Sequence, residues 1–161
     1  MGKSRWFLHA IRVRYAETDK MGVVYHVNYA NWFEYGRTEL IRELGISYRE
    51  LEEQGLLLPV VDLHLQFMQP ARYDDRIAIY TSIADFTNVR ITFETEIYRI
   101  PEGAQPDRES SRMEPAGDKL VTGTTTLVWV GRNWKPARLD REAPDVHRLL
   151  LRETEDAADS E

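Results

Sequence analysis

Hydrophobic and polar residues alternate near the start of the chain. Over residues 8–15, Ile11, Val13 and Tyr15 fall on one face, and Arg12 and Arg14 fall on the other. This alternation is typical of a half-buried β-strand.

The pattern changes to a helical period after an irregular segment, residues 16–22. Apolar residues then recur at intervals of three and four between residues 28 and 44: Tyr29, Trp32, Phe33, Gly36, Leu40, Ile41 and Leu44. This spacing predicts one long helix with a wide buried face. Asn28 is the expected N-cap and Gly45 the expected C-terminal glycine. A glycine at position 36 costs about 1 kcal/mol in a helix interior, so we expect another backbone to approach it closely.

A short helix and four strand-like runs follow the long helix. Ser47 and Glu50 have the spacing of a capping box, and Gly55 ends the short helix. The predicted strands cover residues 61–67, 76–83, 91–97 and 119–130, with a long loop over residues 101–118. A last helix is expected over residues 143–152.

This order of elements predicts an α+β fold in which one antiparallel β-sheet wraps around one long central α-helix. We assign residues 1–152 to a single domain. Residues 153–161 are strongly acidic, and we expect them to form a disordered tail.

Composition excludes several classes of function. The chain has 161 residues, a net charge of -6 and no cysteine. It therefore has no disulfide, no thiolate metal site and no cysteine nucleophile. The negative charge argues against nucleic-acid binding, and no apolar run approaches the roughly 18 residues of a membrane span. With no signal-peptide pattern at the N-terminus, we expect a cytoplasmic protein.

The irregular segment before the long helix carries the most specific motif. Residues 15–29 read YAETDKMGVVYHVNY, followed by Phe33-Glu34, Arg37-Thr38-Glu39 and PARYDD at residues 70–75. This set resembles the signature of the 4-hydroxybenzoyl-CoA thioesterase branch of the hotdog superfamily, and more closely the Tol-Pal-associated acyl-CoA thioesterases. The resemblance spans residues 11–130 and implies a hotdog fold.

The resemblance also implies a site and a reaction. In the family, the aspartate at the position of Asp19 either attacks the thioester carbonyl or activates water. The backbone N–H at the position of His26 polarises the thioester oxygen, and the active sites lie at a dimer interface. No cofactor or metal is implied. The chemistry of the residues agrees, because a helix N-terminus offers unpaired N–H donors to a developing oxyanion, and Gly22 lets the chain fold back toward them.

Further residues are predicted to contact the substrate. Those near the motif are Gly22, Val24, Tyr25 and Tyr29. Glu34 could face the acyl chain, and it is also a rival for the catalytic carboxylate, since another branch of the superfamily uses a helix glutamate. Cations that could meet the CoA phosphates are Arg72, Arg90, Arg132, Lys135 and Arg138, of which we include Arg72 and Arg90 in the predicted site.

Several alternatives stay open at the level of sequence. A hotdog dehydratase is disfavoured because the spacing of Asp19, Gly22 and His26 does not match its motif. A non-catalytic module that binds acyl-CoA or acyl carrier protein would keep the pocket without needing Asp19. The acyl group and the choice between CoA and acyl carrier protein are not determined. Because a hotdog monomer leaves a sheet edge and pocket walls incomplete, we expect a homodimer or a homotetramer made of two dimers.

Overall fold

The computed structural model describes residues 4–106 and 117–156. In chain order, its elements are β1 (Phe7–Arg12), a 3-10 turn (Tyr15–Glu17), α1 (Val27–Glu43), α2 (Tyr48–Glu53), β2 (Leu56–Leu57), β3 (Val60–Phe67), β4 (Arg76–Phe86), β5 (Arg90–Arg99), β6 (Asp118–Val128), β7 (Val130–Gly131), α3 (Leu139–Glu142) and α4 (Pro144–Asp156). Five strands form one antiparallel sheet in the order β1-β4-β5-β6-β3, and β2 pairs with β7. The predicted α+β hotdog fold is confirmed.

Helix α1 packs on the sheet through the face predicted from its period. Its buried residues are Tyr29, Trp32, Phe33, Gly36, Leu40 and Ile41. The glycine is needed because a Cβ at Gly36 would lie 2.2 Å from Thr81 Oγ1 and 2.8 Å from Ile79 Cγ2. Helix and sheet therefore approach each other closely at this point, as expected from a glycine in the middle of a helix.

The N-terminus of α1 differs from the prediction. The helix begins at Val27, and His26 occupies the N-cap position. Asn28 is not the N-cap: its side chain donates to the carbonyl oxygen of Glu17 at 2.9 Å, so a long-range contact replaces the local one. The C-terminal prediction holds, because Gly45 follows the helix with φ +87°.

The segment after α1 forms one of the two hydrogen bonds of the predicted capping box. Ser47 Oγ accepts a hydrogen bond from the Glu50 N–H at 3.1 Å, which caps α2. Gly55, at φ +90°, ends that helix. The short β2–β7 pair was not predicted, because each strand has only two residues.

The last helix is longer than predicted. Helix α4 runs to Asp156, four residues beyond the expected end. Thr154 is fully buried and its hydroxyl donates to the Leu150 carbonyl, while Glu153 accepts a hydrogen bond from Arg5 at 3.1 Å. The boundary at residue 152 is therefore too early for the helix. Residues 157–161 of the predicted tail and residues 107–116 of the predicted loop lie outside the described residues.

Strand β3 forms an edge of the main sheet and is open along one side. It pairs with β6, and the side chains of Val61, Leu63 and Phe67 are 57%, 44% and 53% exposed. We call these three exposed residues the β3 apolar row. Within the described parts of the chain, no helix has the length and apolarity needed to cross a membrane.

Candidate active site

Asp19 lies in a tight bend between the 3-10 turn and α1. Its N–H donates to the Val23 carbonyl at 2.8 Å, and its own carbonyl accepts from the Gly22 N–H at 3.0 Å. Its carboxylate accepts from the Met21 N–H at 2.9 Å. Gly22 has φ +80°, a conformation that favours glycine, and so permits the bend. The Asp19 side chain is thereby held by its own loop and is partly exposed.

The bend returns the chain to the first turn of α1. The N–H groups of Tyr25, Asn28 and Tyr29 donate to the carbonyls of Glu17, Tyr25 and His26, respectively. Among the described residues, the N–H of His26 has no hydrogen-bond acceptor. A donor of this kind at the start of a helix is available to an anionic ligand atom.

Asp19 and His26 line the same cavity, which has a volume of about 240 Å³. Its other lining residues are Met21, Val23, Val24, Tyr29, Phe67, Met68, Gln69 and Pro70. One wall is therefore the bend and helix start, and the other is the end of β3 with the segment that follows it. We call this space the Asp19 cavity.

Tyr29 fixes the two walls of the Asp19 cavity to each other. Its hydroxyl accepts a hydrogen bond from the Ala71 N–H at 2.9 Å, and the Ala71 carbonyl accepts from the Val24 N–H at 2.9 Å. The Tyr29 ring packs edge-on against Trp32 and Phe67. Burial raises the pKa of Tyr29, so its hydroxyl is protonated at neutral pH.

The other predicted site residues fall at varied distances from this cavity. Val24 and Tyr29 line it, and Gly22 shapes the bend without lining it. Tyr25 is exposed, and its ring meets the His26 imidazole edge-on with centroids 4.6 Å apart. Arg72 is exposed and follows Pro70 of the cavity wall by two residues, but it does not line the cavity.

Arg90 and Glu34 lie away from Asp19. Arg90 begins β5 opposite Val128, whereas Phe67 of the cavity wall is opposite Val121 on β6. Seven residues of extended strand separate these positions, or about 23 Å. Glu34 lines a separate cavity of about 380 Å³ between α1, α2 and the sheet, together with Arg37, Thr38, Tyr48, Arg49, Leu51, Glu52, Leu56, Leu58 and Leu127.

A third cavity gathers cations that the sequence did not place together. It has a volume of about 710 Å³, and its charged lining residues are Arg132, Lys135, Arg138, Arg141 and Glu142. Arg138 is paired with Asp140 at 2.9 Å and lowers the pKa of that carboxyl. Across the described residues, no ion pair involves the other three cations. We call this cavity the cationic basin, and the cavity lined by Glu34 the Glu34 cavity. The two are adjacent, because Leu56 lines both.

Some of the residues that line the Asp19 cavity were not expected. Phe67, Met68 and Gln69 reach the Asp19 cavity because the end of β3 packs over the start of α1, a long-range contact with no local sequence signal.

The described residues contain no cluster of His, Cys, Asp and Glu suited to a metal ion.

Comparison with known proteins gives a consistent picture. The model of the thioesterase-like superfamily matches residues 13–143. YneP of Bacillus subtilis, a candidate acyl-CoA thioesterase, is 36% identical over 138 residues, which cover 85% of this chain and 89% of that protein. The acyl-CoA thioesterase YbgC of Haemophilus influenzae is 36% identical over 94 residues, covering 58% of this chain and 69% of that one.

A solved structure matches nearly the whole chain. The crystal structure of a DHNA-CoA thioesterase from Staphylococcus aureus superposes with a TM-score of 0.84 and 32% sequence identity. The match covers 97% of this chain and 95% of that chain.

Proposed function

The chain belongs to the thioesterase-like superfamily and is a thioester hydrolase, and we propose that it converts an acyl-CoA and water into a carboxylic acid and free CoA. The observation that carries this proposal is the Asp19 cavity, which is lined by Asp19 and by His26, a residue at the helix N-terminus whose N–H has no acceptor among the described residues.

In the proposed mechanism, the thioester carbonyl lies between Asp19 and His26. In one route, the Asp19 carboxylate attacks the carbonyl carbon and forms an anhydride that water then hydrolyses. In the other, the carboxylate takes a proton from a water molecule as that water attacks the carbonyl carbon. The electrons of the C=O bond move onto its oxygen, and the N–H of His26 donates to that oxyanion. When the C–S bond breaks, CoA leaves as a thiolate that takes up a proton. Gly22, Val24, Tyr25 and Tyr29 shape the bend and walls around this centre.

The finer family assignment rests on the motif. We place the chain in the 4-hydroxybenzoyl-CoA thioesterase branch, near the Tol-Pal-associated enzymes, because residues 15–29 and 70–75 carry that signature. Glu34 is proposed to contact the acyl group from the neighbouring cavity. Residues 1–152 as a single domain, and a cytoplasmic location, stay predictions from the sequence.

We propose that the working form is a homodimer, or a homotetramer made of two dimers. The β3 apolar row is exposed beside the Asp19 cavity, and the open edge of β3 offers main-chain donors and acceptors to a second strand. A two-fold axis at this edge would pair two copies of β3 in antiparallel orientation. The Val60 end of one copy would then lie beside Phe67 of the other.

This arrangement gives the cationic basin a role in binding CoA. Within one subunit, nine residues of extended chain separate Phe67 from Leu58, or about 30 Å. Across the proposed dimer, the basin and Glu34 cavity of one subunit adjoin the Asp19 cavity of the other. Guanidinium and ammonium groups bind phosphates well, so we propose that this basin contacts the CoA phosphates together with Arg72, and Arg90 more peripherally.

A panel of thioesters tests the activity. Short aliphatic, long aliphatic and aromatic acyl-CoAs, and one acyl group on acyl carrier protein, are incubated with the protein while released thiol is measured. We expect turnover of at least one acyl-CoA. Binding of acyl-CoA without thiol release from any substrate would instead identify the non-catalytic binding module.

Mixed dimers test the shared site. Asp19→Asn and the pair Arg132→Glu with Lys135→Glu are made in separate copies carrying different tags. Each homodimer should be impaired, and the purified mixed dimer should recover activity, because one of its two sites then combines an intact Asp19 with an intact basin. No recovery would show that the basin does not serve the partner's site.

A further inference from the structure

Glu17 is a buried carboxylate two residues before Asp19, and it does not line the Asp19 cavity. Its side chain belongs to the 3-10 turn, and only 6% of the residue is exposed. A buried charge is costly unless hydrogen bonds compensate it. The groups that compensate this carboxylate, so close to the proposed catalytic group, therefore indicate what it holds in place.

The Glu17 side chain joins the turn to the middle of α1. Its Oε1 accepts a hydrogen bond from the Arg14 N–H at 2.9 Å, and the Arg14 guanidinium lies 3.4 Å away. Its Oε2 accepts from the indole N–H of the fully buried Trp32 at 2.8 Å. Both carboxylate oxygens are thus held by donors, one on each side of the bend.

The main chain of Glu17 joins the turn to the start of α1. Its carbonyl oxygen accepts from the Tyr25 N–H and from the Asn28 side-chain amide, each at 2.9 Å. Tyr25 directly precedes His26. Residue 17 therefore joins the two ends of a loop that contains Asp19 near its start and leads directly into His26.

We infer that Glu17 is a positioning residue that sets the distance between the Asp19 carboxylate and the His26 N–H; this rests on the proposed function. Catalytic groups must be held within about 0.5 Å of their productive positions, and a 1 Å error can cost about 10²-fold in rate. Asp19 is held otherwise by contacts inside its own bend, which fix its conformation but not its distance from α1. Glu17 supplies that second constraint.

Glu17→Gln tests the inference with a side chain of the same shape. An amide presents one oxygen and one NH₂, so one of the two donors, Arg14 N–H or Trp32 Nε1–H, must face another donor. We expect kcat to fall by at least ~10-fold while KM changes less than about threefold. Trp32→Phe removes the indole N–H that donates to Glu17 Oε2. It should likewise lower kcat while KM changes little. Arg14→Ala keeps the main-chain N–H and removes only the guanidinium contact with Glu17, so kcat should fall less than in Glu17→Gln.

Hydrogen exchange of peptides covering residues 17–30 provides a readout that does not depend on activity. In Glu17→Gln, we expect faster exchange in this segment, with the peptides from β4, β5 and β6 unchanged. Faster exchange across the whole sheet would indicate general destabilisation and would overturn the inference, as would wild-type kcat in a folded Glu17→Gln protein. If the wild type hydrolyses no thioester, the proposed function fails, while the exchange pattern still decides whether Glu17 holds the loop.

Discussion

The replacement of Asp19 by asparagine separates charge from shape at the proposed catalytic position. Asparagine is nearly isosteric, and its amide oxygen can still accept the hydrogen bond that the Met21 N–H now donates to Asp19 Oδ1. The bend closed by Val23 and Gly22 uses main-chain atoms, which the substitution leaves in place. The variant therefore removes the negative charge and leaves the local geometry.

The expected magnitudes follow from that geometry. An amide can neither attack the thioester nor take a proton from water, so kcat should fall by at least ~10²-fold, or about 2.7 kcal/mol of transition-state stabilisation. Asp19 is partly exposed, so unfolding free energy should change by less than about 1 kcal/mol. For a domain of this size, that limits the shift in Tm to about 4 °C.

The assay is thiol release from the best acyl-CoA of the panel, with kcat and KM measured separately. Asp145→Asn is the matched control, because Asp145 is an exposed aspartate at the start of α4 and should retain wild-type turnover. A folded Asp19→Asn protein with kcat within about twofold of wild type would refute the role of the charge.

Three further predictions concern stability. Gly36→Ala places a Cβ 2.2 Å from Thr81 Oγ1, so the free energy of unfolding measured in urea should fall by about 1–3 kcal/mol. An unchanged free energy would show that α1 can move away from the sheet. Burial raises the pKa of Tyr48 from 10.0 to about 12, so the folded state keeps a proton that the unfolded state loses. Stability should therefore decline between those pH values by about 2–3 kcal/mol, and Tyr48→Phe should flatten that part of the pH profile; an unchanged slope would contradict it. Ser47→Ala removes the acceptor of the Glu50 N–H and should lower the unfolding free energy by about 1 kcal/mol, whereas Ser47→Thr should lower it less.

The sequence predicted those parts of the fold that depend on local periodicity. The buried face of α1 followed from the spacing of Trp32, Phe33, Leu40 and their neighbours, because a helix repeats every 3.6 residues. Gly45 and Ser47 were predicted because helix termini have local chemistry. The first strand was predicted too long at its C-terminal end, because its pairing with β4 stops at Arg12 and residues 15–17 form a 3-10 turn.

The candidate site likewise contains some residues that the local sequence predicts and others that it does not. Asp19, His26, Val24 and Tyr29 occur in one continuous motif, and the structure brings them around one cavity. Met68 comes from the end of another element, and its place depends on how β3 meets α1. Asn28 shows the limit most clearly: its residue type favoured an N-cap, but its amide instead bonds to the Glu17 carbonyl.

The basic residues were the hardest to assign, because single charges on a surface have no periodicity. The predicted site includes Arg90 and leaves out Arg132 and Lys135, yet the latter two share a cavity. That cavity forms only when the β2–β7 pair, α2 and α3 come together. Pairings of two-residue strands have too little sequence to be recognised.

The close approach at Gly36 also restricts how the gene for this protein can change. Tyr29 and Gly36 are seven residues, or about two turns, apart; the first is bonded to Ala71 and the second lies against Thr81. Inserting or deleting one codon between them would rotate one contact by about 100° relative to the other. A chimaeric enzyme that carries the α1 segment of a related protein should therefore fold only when the number of residues between positions 29 and 36 is unchanged. The residues on the solvent-facing side of α1 can differ.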